Sequence, residues 1–202
     1  SGIHSRMSAS SRDWTSQALK ESLEAFVTES AMLALEPEHT LTEKKKTLYQ
    51  QHQQLIADWF DRLWLSAIWS EGQASAMEEI LLSPTIDVND QQVLTSAIML
   101  ATLNHFDLAK FKVLLSVYRH ATDTAVRQRA LVGWALALQD DVFVNLYGDE
   151  KQVLDEVLED PAVCQELVQL QHQIVLCINA EKDNQTIQRE IMPDLLKNNG
   201  LS

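Results

Sequence analysis

With 202 residues and a formal net charge of −13, the chain lacks the basic face that phosphate backbones demand, which makes nucleic acids and anionic lipid surfaces poor partners. A hydrophobic fraction of 46% against 22% charged residues excludes a disordered polymer, and five glycines with four prolines are too few for the turns of a β-rich protein. A chain of this length buries roughly 70% of its unfolded surface, enough for an ordinary core without disulfide or metal staples.

The opening SGIHSRM reads as a cloning remnant leading into Met7, which sets residues 1–6 outside the fold. From Asp13 to Leu35, apolar residues at Leu19, Leu23, Phe26, Val27, Met32 and Leu33 predict a helix that Pro37 ends. Thr40 and Glu43 have the spacing of a capping box and predict the start of a long helix running to about Trp69. Its second half, LIADWFDRLWLSAIW, places Leu55, Trp59, Leu63 and Ala67 on one stripe and Ile56, Phe60, Trp64 and Ile68 on the next. So wide an apolar face belongs to a helix with more than one neighbour. Residues 7–69 therefore read as a long helical hairpin.

From residue 70 the elements shorten. Ser70 with Gln73 predicts a capped helix ending before Pro84, and Asn89 with Gln92 predicts the next, to about Asn104. Asp107 starts a helix ending near His120, and Asp123 starts one ending near Gln139. After an acidic connector around YGDE, a short helix covers about Glu150 to Glu159. Asp160 followed by Pro161 is an N-cap with proline at the first helical position, opening a helix to about Asn179. A last helix begins after Asn184 and leads into the ending KNNGLS. The total is nine helices and no strand. No apolar run approaches the roughly 20 residues of a membrane span. Cys164 and Cys177, on one helix, lie roughly 20 Å apart along its axis. That excludes a disulfide between them and predicts buried thiols in a reducing, cytoplasmic compartment.

Short helices joined by short links suggest a repeat. Shifted by 36 residues, QVLTSAIMLATL lies on QRALVGWALALQ, with Leu94 on Ala130, Ala97 on Gly133, Leu100 on Leu136 and Ala101 on Ala137. Shifted by 37, DTAVRQ lies on DPAVCQ. The helix DTAVRQRALVGWALAL is apolar nearly all round after its polar start, so neighbours must surround it, and Ala130, Gly133 and Ala137 form a strip where another helix comes close. Asp123 can cap its own helix, and Arg127 can reach an acid or carbonyl on an adjacent repeat.

The stretch FKVLLSVYRHATDTAVRQRALVGWALAL (111–138) resembles a HEAT-type repeat: an apolar first helix, a turn with aspartate, then Val-Arg, a small residue and an aliphatic run. WFDRLWLSAIWS, TIDVNDQQ and QRALVGWALAL are also similar to the amino-terminal part of large bacterial tetratricopeptide-repeat proteins of unassigned function. The second resemblance implies that further repeats follow in a longer chain.

The search for chemistry returns no catalytic, cofactor or metal residues. Phosphate loops, GxGxxG, GxSxG, CxxC and HExxH are all missing, and DVFVNLYGDE lacks the alternating ligands of a calcium loop. No His-Glu dipeptide occurs, whereas iron hydroxylases built on HEAT repeats resemble one another in using such pairs as ligands. His105 and His120 sit near helix ends, where histidine meets the last carbonyls. Trp59, Trp64 and Trp69 turn about 140° from one to the next and read as packing. Arg127 and Arg129 project to different sides, one an inter-repeat contact and one solvated. Tyr118, Arg119 and His120 are the expected partner-binding surface, and Asp123 and Arg127 the expected contact between repeats.

The resulting expectation is an all-α protein: the hairpin of 7–69, then a short right-handed α-solenoid of HEAT-like pairs over 70–202, packed with it as one domain. Such surfaces commonly hold peptides or proteins, so a non-enzymatic interaction or scaffold module is expected, without cofactor. The alternatives are a self-associating homodimer domain and, behind it, a HEAT-like enzyme. A glycosylase of that kind would need a basic groove, which the charge argues against.

Overall fold

The computed structural model describes residues 15–138, 142, 145–193 and 197. Among them are eight α-helices and one π-helical segment, with no strand, so the protein is all-α. The expected start at Asp13, the end at Gln139, part of DVFVNLYGDE, the SGIHSRM opening and most of the KNNGLS ending lie outside the described residues. The chain divides into two compact units, Ser1–Val144 and Asn145–Ser202.

The first unit holds α1 (Ser16–Leu33), α2 (Glu38–Trp64), α3 (Glu71–Leu82), α4 (Val88–Asn104), α5 (Leu108–His120) and α6 (Thr124–Ala137). Sequential helices pack in pairs, α1 on α2, α3 on α4 and α5 on α6. Alternate helices are neighbours as well: α4 lies between α2 and α6, and α3 between α1 and α5. Helix starts keep a regular interval, since the N-caps Ser70 and Asp107 stand 37 residues apart and Asp87 and Asp123 stand 36 apart. Burial follows the same interval. Leu94, Ala97 and Ala101 are buried like Ala130, Gly133 and Ala137, while Leu100 and Leu136 are both exposed.

The small-residue strip does permit close approach. A Cβ added at Gly133 would stand 2.7 Å from Leu114 Cδ1 on α5 and 3.3 Å from Met99 Cβ on α4. Around it, Trp134, Tyr118, Phe111, Leu114, Leu131 and Ile98 are fully buried. Each such apolar side chain stabilises the fold by about 1.5–3 kcal/mol through removal from water.

Several boundaries differ from the sequence reading. Thr40 and Glu43 form no capping box: Pro37 is the N-cap of α2, its backbone already extended at ψ 143°, and its carbonyl accepts from the Thr40 and Leu41 amides. Starting three residues early gains a turn of backbone hydrogen bonds, and the Thr40 hydroxyl donates back to the Pro37 carbonyl. Likewise Asp87, not Asn89, caps α4, its Oδ1 accepting the Asn89 amide at 2.7 Å. By contrast the Ser70–Gln73 box has both arms, at 3.2 and 2.9 Å.

Helix α2 stops at Trp64 rather than Trp69 because distant groups take over the backbone of 66–69. Lys110 Nζ donates to the carbonyls of Ser66 and Ala67 at 3.0 and 3.1 Å, and the Trp69 amide donates to Asp107 Oδ2 at 2.9 Å. Asp107 Oδ1 caps α5 through the Ala109 amide at 3.0 Å, and the Lys110 ammonium lies 3.6 Å from Oδ2 and 5.3 Å from the Trp69 ring centroid. Asp107 and Lys110 are both buried. Burial pushes the Lys110 ammonium below the usual lysine range, with Asp107 pulling the other way. This clamp fixes the link between α2 and α3 to the start of α5.

The second unit holds α7 (Gly148–Glu159), α8 (Pro161–Thr186) and the π-helical segment Ile187–Ile191. Gly148 begins α7 at φ 62°, a conformation that glycine adopts without a Cβ clash. Asp160 caps α8 through the Ala162 amide at 2.9 Å, with Pro161 at the first position as expected. The break expected at Asn184 is missing, since no glycine or proline interrupts the chain there and α8 runs on into the π segment. Both cysteines are exposed, not buried. Cys164 lies in the first turn of α8, its thiol donating to the Leu158 carbonyl at 3.1 Å; further along, α7 spans about 18 Å against about 39 Å for α8 and so reaches under half of its partner. Val168, Val175, Leu176 and Ile178 of α8 remain exposed.

Candidate functional site

The groove between α2 and α4 gathers the first unit's most distinctive side chains. On α2, His52, Ile56 and Phe60 recur every four residues and so share one stripe; Asn89, Asp90 and Val93 from the first turns of α4 face them. With Gln53, Ala57 and Asp61 these residues line a groove of about 530 Å³. Its inner end is fixed by a charge-capable pair. His52 Nε2 donates to both oxygens of Asp90, at 2.8 and 2.9 Å, and both side chains are almost covered.

An aromatic column holds that histidine in place. The Phe26 ring of α1 lies parallel to the imidazole, with centroids 3.5 Å apart and planes 7° apart. Tyr49 meets Phe26 edge-on at 5.4 Å, and the Lys45 ammonium sits 5.8 Å from the Tyr49 centroid. The column ties α1, α2 and α4 together through one imidazole. At the other end of the groove, Phe60 packs 6.4 Å from Trp64, which stays exposed. Val93 of the lining is exposed, as are Leu100 and Leu103 further along α4 and Leu136 on α6.

Chemically, the arrangement orients an imidazole by a carboxylate, as acid–base sites do. The residues that line the groove include no hydroxyl, thiol or amine side chain beside this pair. Among the described residues no three histidine, cysteine, aspartate or glutamate side chains gather as metal ligands. No described helix is long and apolar enough to cross a membrane.

The residues expected at the surface lie elsewhere and do not form one patch. Tyr118 is buried, its ring 5.6 Å from Trp134, because its position on α5 faces α6. Arg119 and His120 are exposed, and the His120 ring donates through Nδ1 to the Ser116 carbonyl at 2.9 Å, a helix-end contact. His105 is the C-cap residue of α4. Asp123 caps α6 through the Val126 amide at 2.9 Å and accepts from Gln92 of α4 at 3.2 Å, so it links one helix pair to the previous one. Arg127 donates through Nε to the Tyr118 carbonyl at 3.1 Å and covers the Tyr118 ring at 4.9 Å, a contact within its own pair. Arg129 reaches back to Ala125 of its own helix. Trp59 and Trp69 are buried as packing, whereas Trp64 is not.

Sequence reasoning missed His52 and Asp90. Both sit on helix faces whose neighbours are apolar, and nothing local pairs positions 38 residues apart. Comparison with protein-family models, curated proteins and solved structures gives no match.

Proposed function

We propose that this chain is a non-enzymatic protein-interaction module, a short right-handed solenoid of HEAT-like pairs, α3–α4 and α5–α6, stacked on the long hairpin α1–α2. The alternate-neighbour packing, the regular interval of the caps and the repeating burial support the stack. The observation that carries the binding role is the groove between α2 and α4, lined by Val93, with Leu100 and Leu103 exposed further along α4. A stacked array exposes one helix of each pair along a continuous surface, and exposed apolar patches of this kind serve contacts between proteins. A HEAT-like glycosylase fits less well, since it would need a basic groove. Free, exposed thiols support a reducing, cytoplasmic setting, because in an oxidising compartment they would pair with other molecules.

The test is affinity capture from source-cell lysate with the whole chain as bait, beside Leu100→Glu. A partner held by the first and lost by the second supports the module. Capture indifferent to Leu100→Glu, or an empty capture with a folded bait, overturns it. Sedimentation velocity on the same bait identifies a homodimer.

A further inference from the structure

We infer that the groove between α2 and α4 binds a basic peptide segment anchored by an apolar side chain; the inference rests on the interaction-module reading and names its partner class. The floor is apolar, formed by Ile56, Ala57, Phe60 and Val93. No lysine or arginine is among its lining residues. Thr47 to Asp61 of α2 contains no lysine or arginine, and none occurs in α4 from Val88 to Asn104. The exposed carboxylate of Asp61 stands on the rim, while Asp90 at the inner end is covered and accepts from His52 through both oxygens. Beside the low-dielectric floor the Asp61 carboxylate attracts a cationic ligand and repels an acidic one. The exposed Trp64 beside Phe60 adds ring faces over which a guanidinium or ammonium can sit.

Other occupants fit less well. A second copy brings a net charge of −13 to an already acidic rim. An acidic peptide meets Asp61 with no lysine or arginine among the lining residues, and a nucleic acid meets the same carboxylate. A basic segment with one aliphatic or aromatic anchor satisfies both floor and rim.

The experiment is fluorescence anisotropy with the full chain and three short synthetic peptides. The first has leucine and lysine in amphipathic helical order, the second has glutamate for each lysine, and the third has serine for each leucine. The first is expected to bind with a Kd on the order of micromolar, and each of the others roughly tenfold or more weakly. Val93→Arg, on an exposed position, is expected to weaken the first peptide about tenfold, and Asp61→Lys severalfold, with unchanged circular dichroism. Equal binding of the leucine and serine peptides would mean unspecific attraction to an acidic protein and overturns the inference. So does binding of the first peptide that Val93→Arg leaves untouched, or no binding at all. If the glutamate peptide binds best and Val93→Arg abolishes it, the basic partner is refuted while the interaction module stands. The module itself falls only with the lysate capture.

Discussion

Two aspartates with the same local role should differ severalfold in what they contribute to stability. Asp107 and Asp123 are both N-caps in the sequence, yet only the first is buried. Asp123→Ala removes one capping hydrogen bond and frees Gln92, which water can solvate in place, a loss of about 1 kcal/mol. Asp107→Ala also removes a cap, again about 1 kcal/mol. It further leaves the buried Trp69 amide without its acceptor, about 1–3 kcal/mol. Finally it strips a buried lysine of its counter-charge, which costs about 3–5 kcal/mol where no other partner remains. Here Lys110 keeps the Ser66 and Ala67 carbonyls, so that share is smaller. These losses overlap, and a total of roughly 3–5 kcal/mol follows, a large fraction of the 5–15 kcal/mol typical of a domain. Urea denaturation followed by tryptophan fluorescence measures it, and all five tryptophans precede Val144, so the signal reports the first unit. With a slope near 2 kcal/mol per molar, Asp107→Ala should lower the midpoint by about 2 M and Asp123→Ala by about 0.5 M. Equal shifts would refute the clamp.

Lys110→Met should expose the linkage of the buried ammonium. Its folded pKa lies below its unfolded one, so in that window the unfolded chain holds a proton that the folded chain has lost, and stability rises with pH. The stability of the wild type relative to Lys110→Met should therefore grow as pH climbs toward the ordinary lysine pKa; a gap that shrinks contradicts the sign. Gly133→Ala should destabilise by about 1 kcal/mol and Gly133→Val by about 3, because overpacking against Met99 Cβ outweighs the roughly 1 kcal/mol helix preference of alanine. A stabilised Gly133→Ala in the same urea assay would show that α4 and α5 do not crowd this position. Ser70→Ala should cost about 1 kcal/mol while Thr40→Ala stays within about 0.5, since only the first loses a cap. Both cysteines should react with a thiol reagent in native buffer at rates near those in urea, and a protected pair would contradict their exposure.

Local chemistry alone determined much of the architecture. Ser70, Asp107, Asp123 and the Asp160–Pro161 pair start their helices where the residues say, because a cap needs only a side-chain oxygen and the next few amides. The strip Ala130–Gly133–Ala137 was equally legible, since small residues on a helix apolar all round leave one outcome. Tertiary structure decided the rest. Helix α2 ends early because Lys110 and Asp107, more than 35 residues away, bind the backbone of 66–69. Tyr118 looked like surface beside Arg119 and His120, but helix rotation turns it onto Trp134, and a single helix cannot reveal which face its neighbour takes. His52 and Asp90 meet across two helices for the same reason. A sequence encodes its near-neighbour hydrogen bonds directly, whereas pairings of distant side chains exist only once the helices have packed.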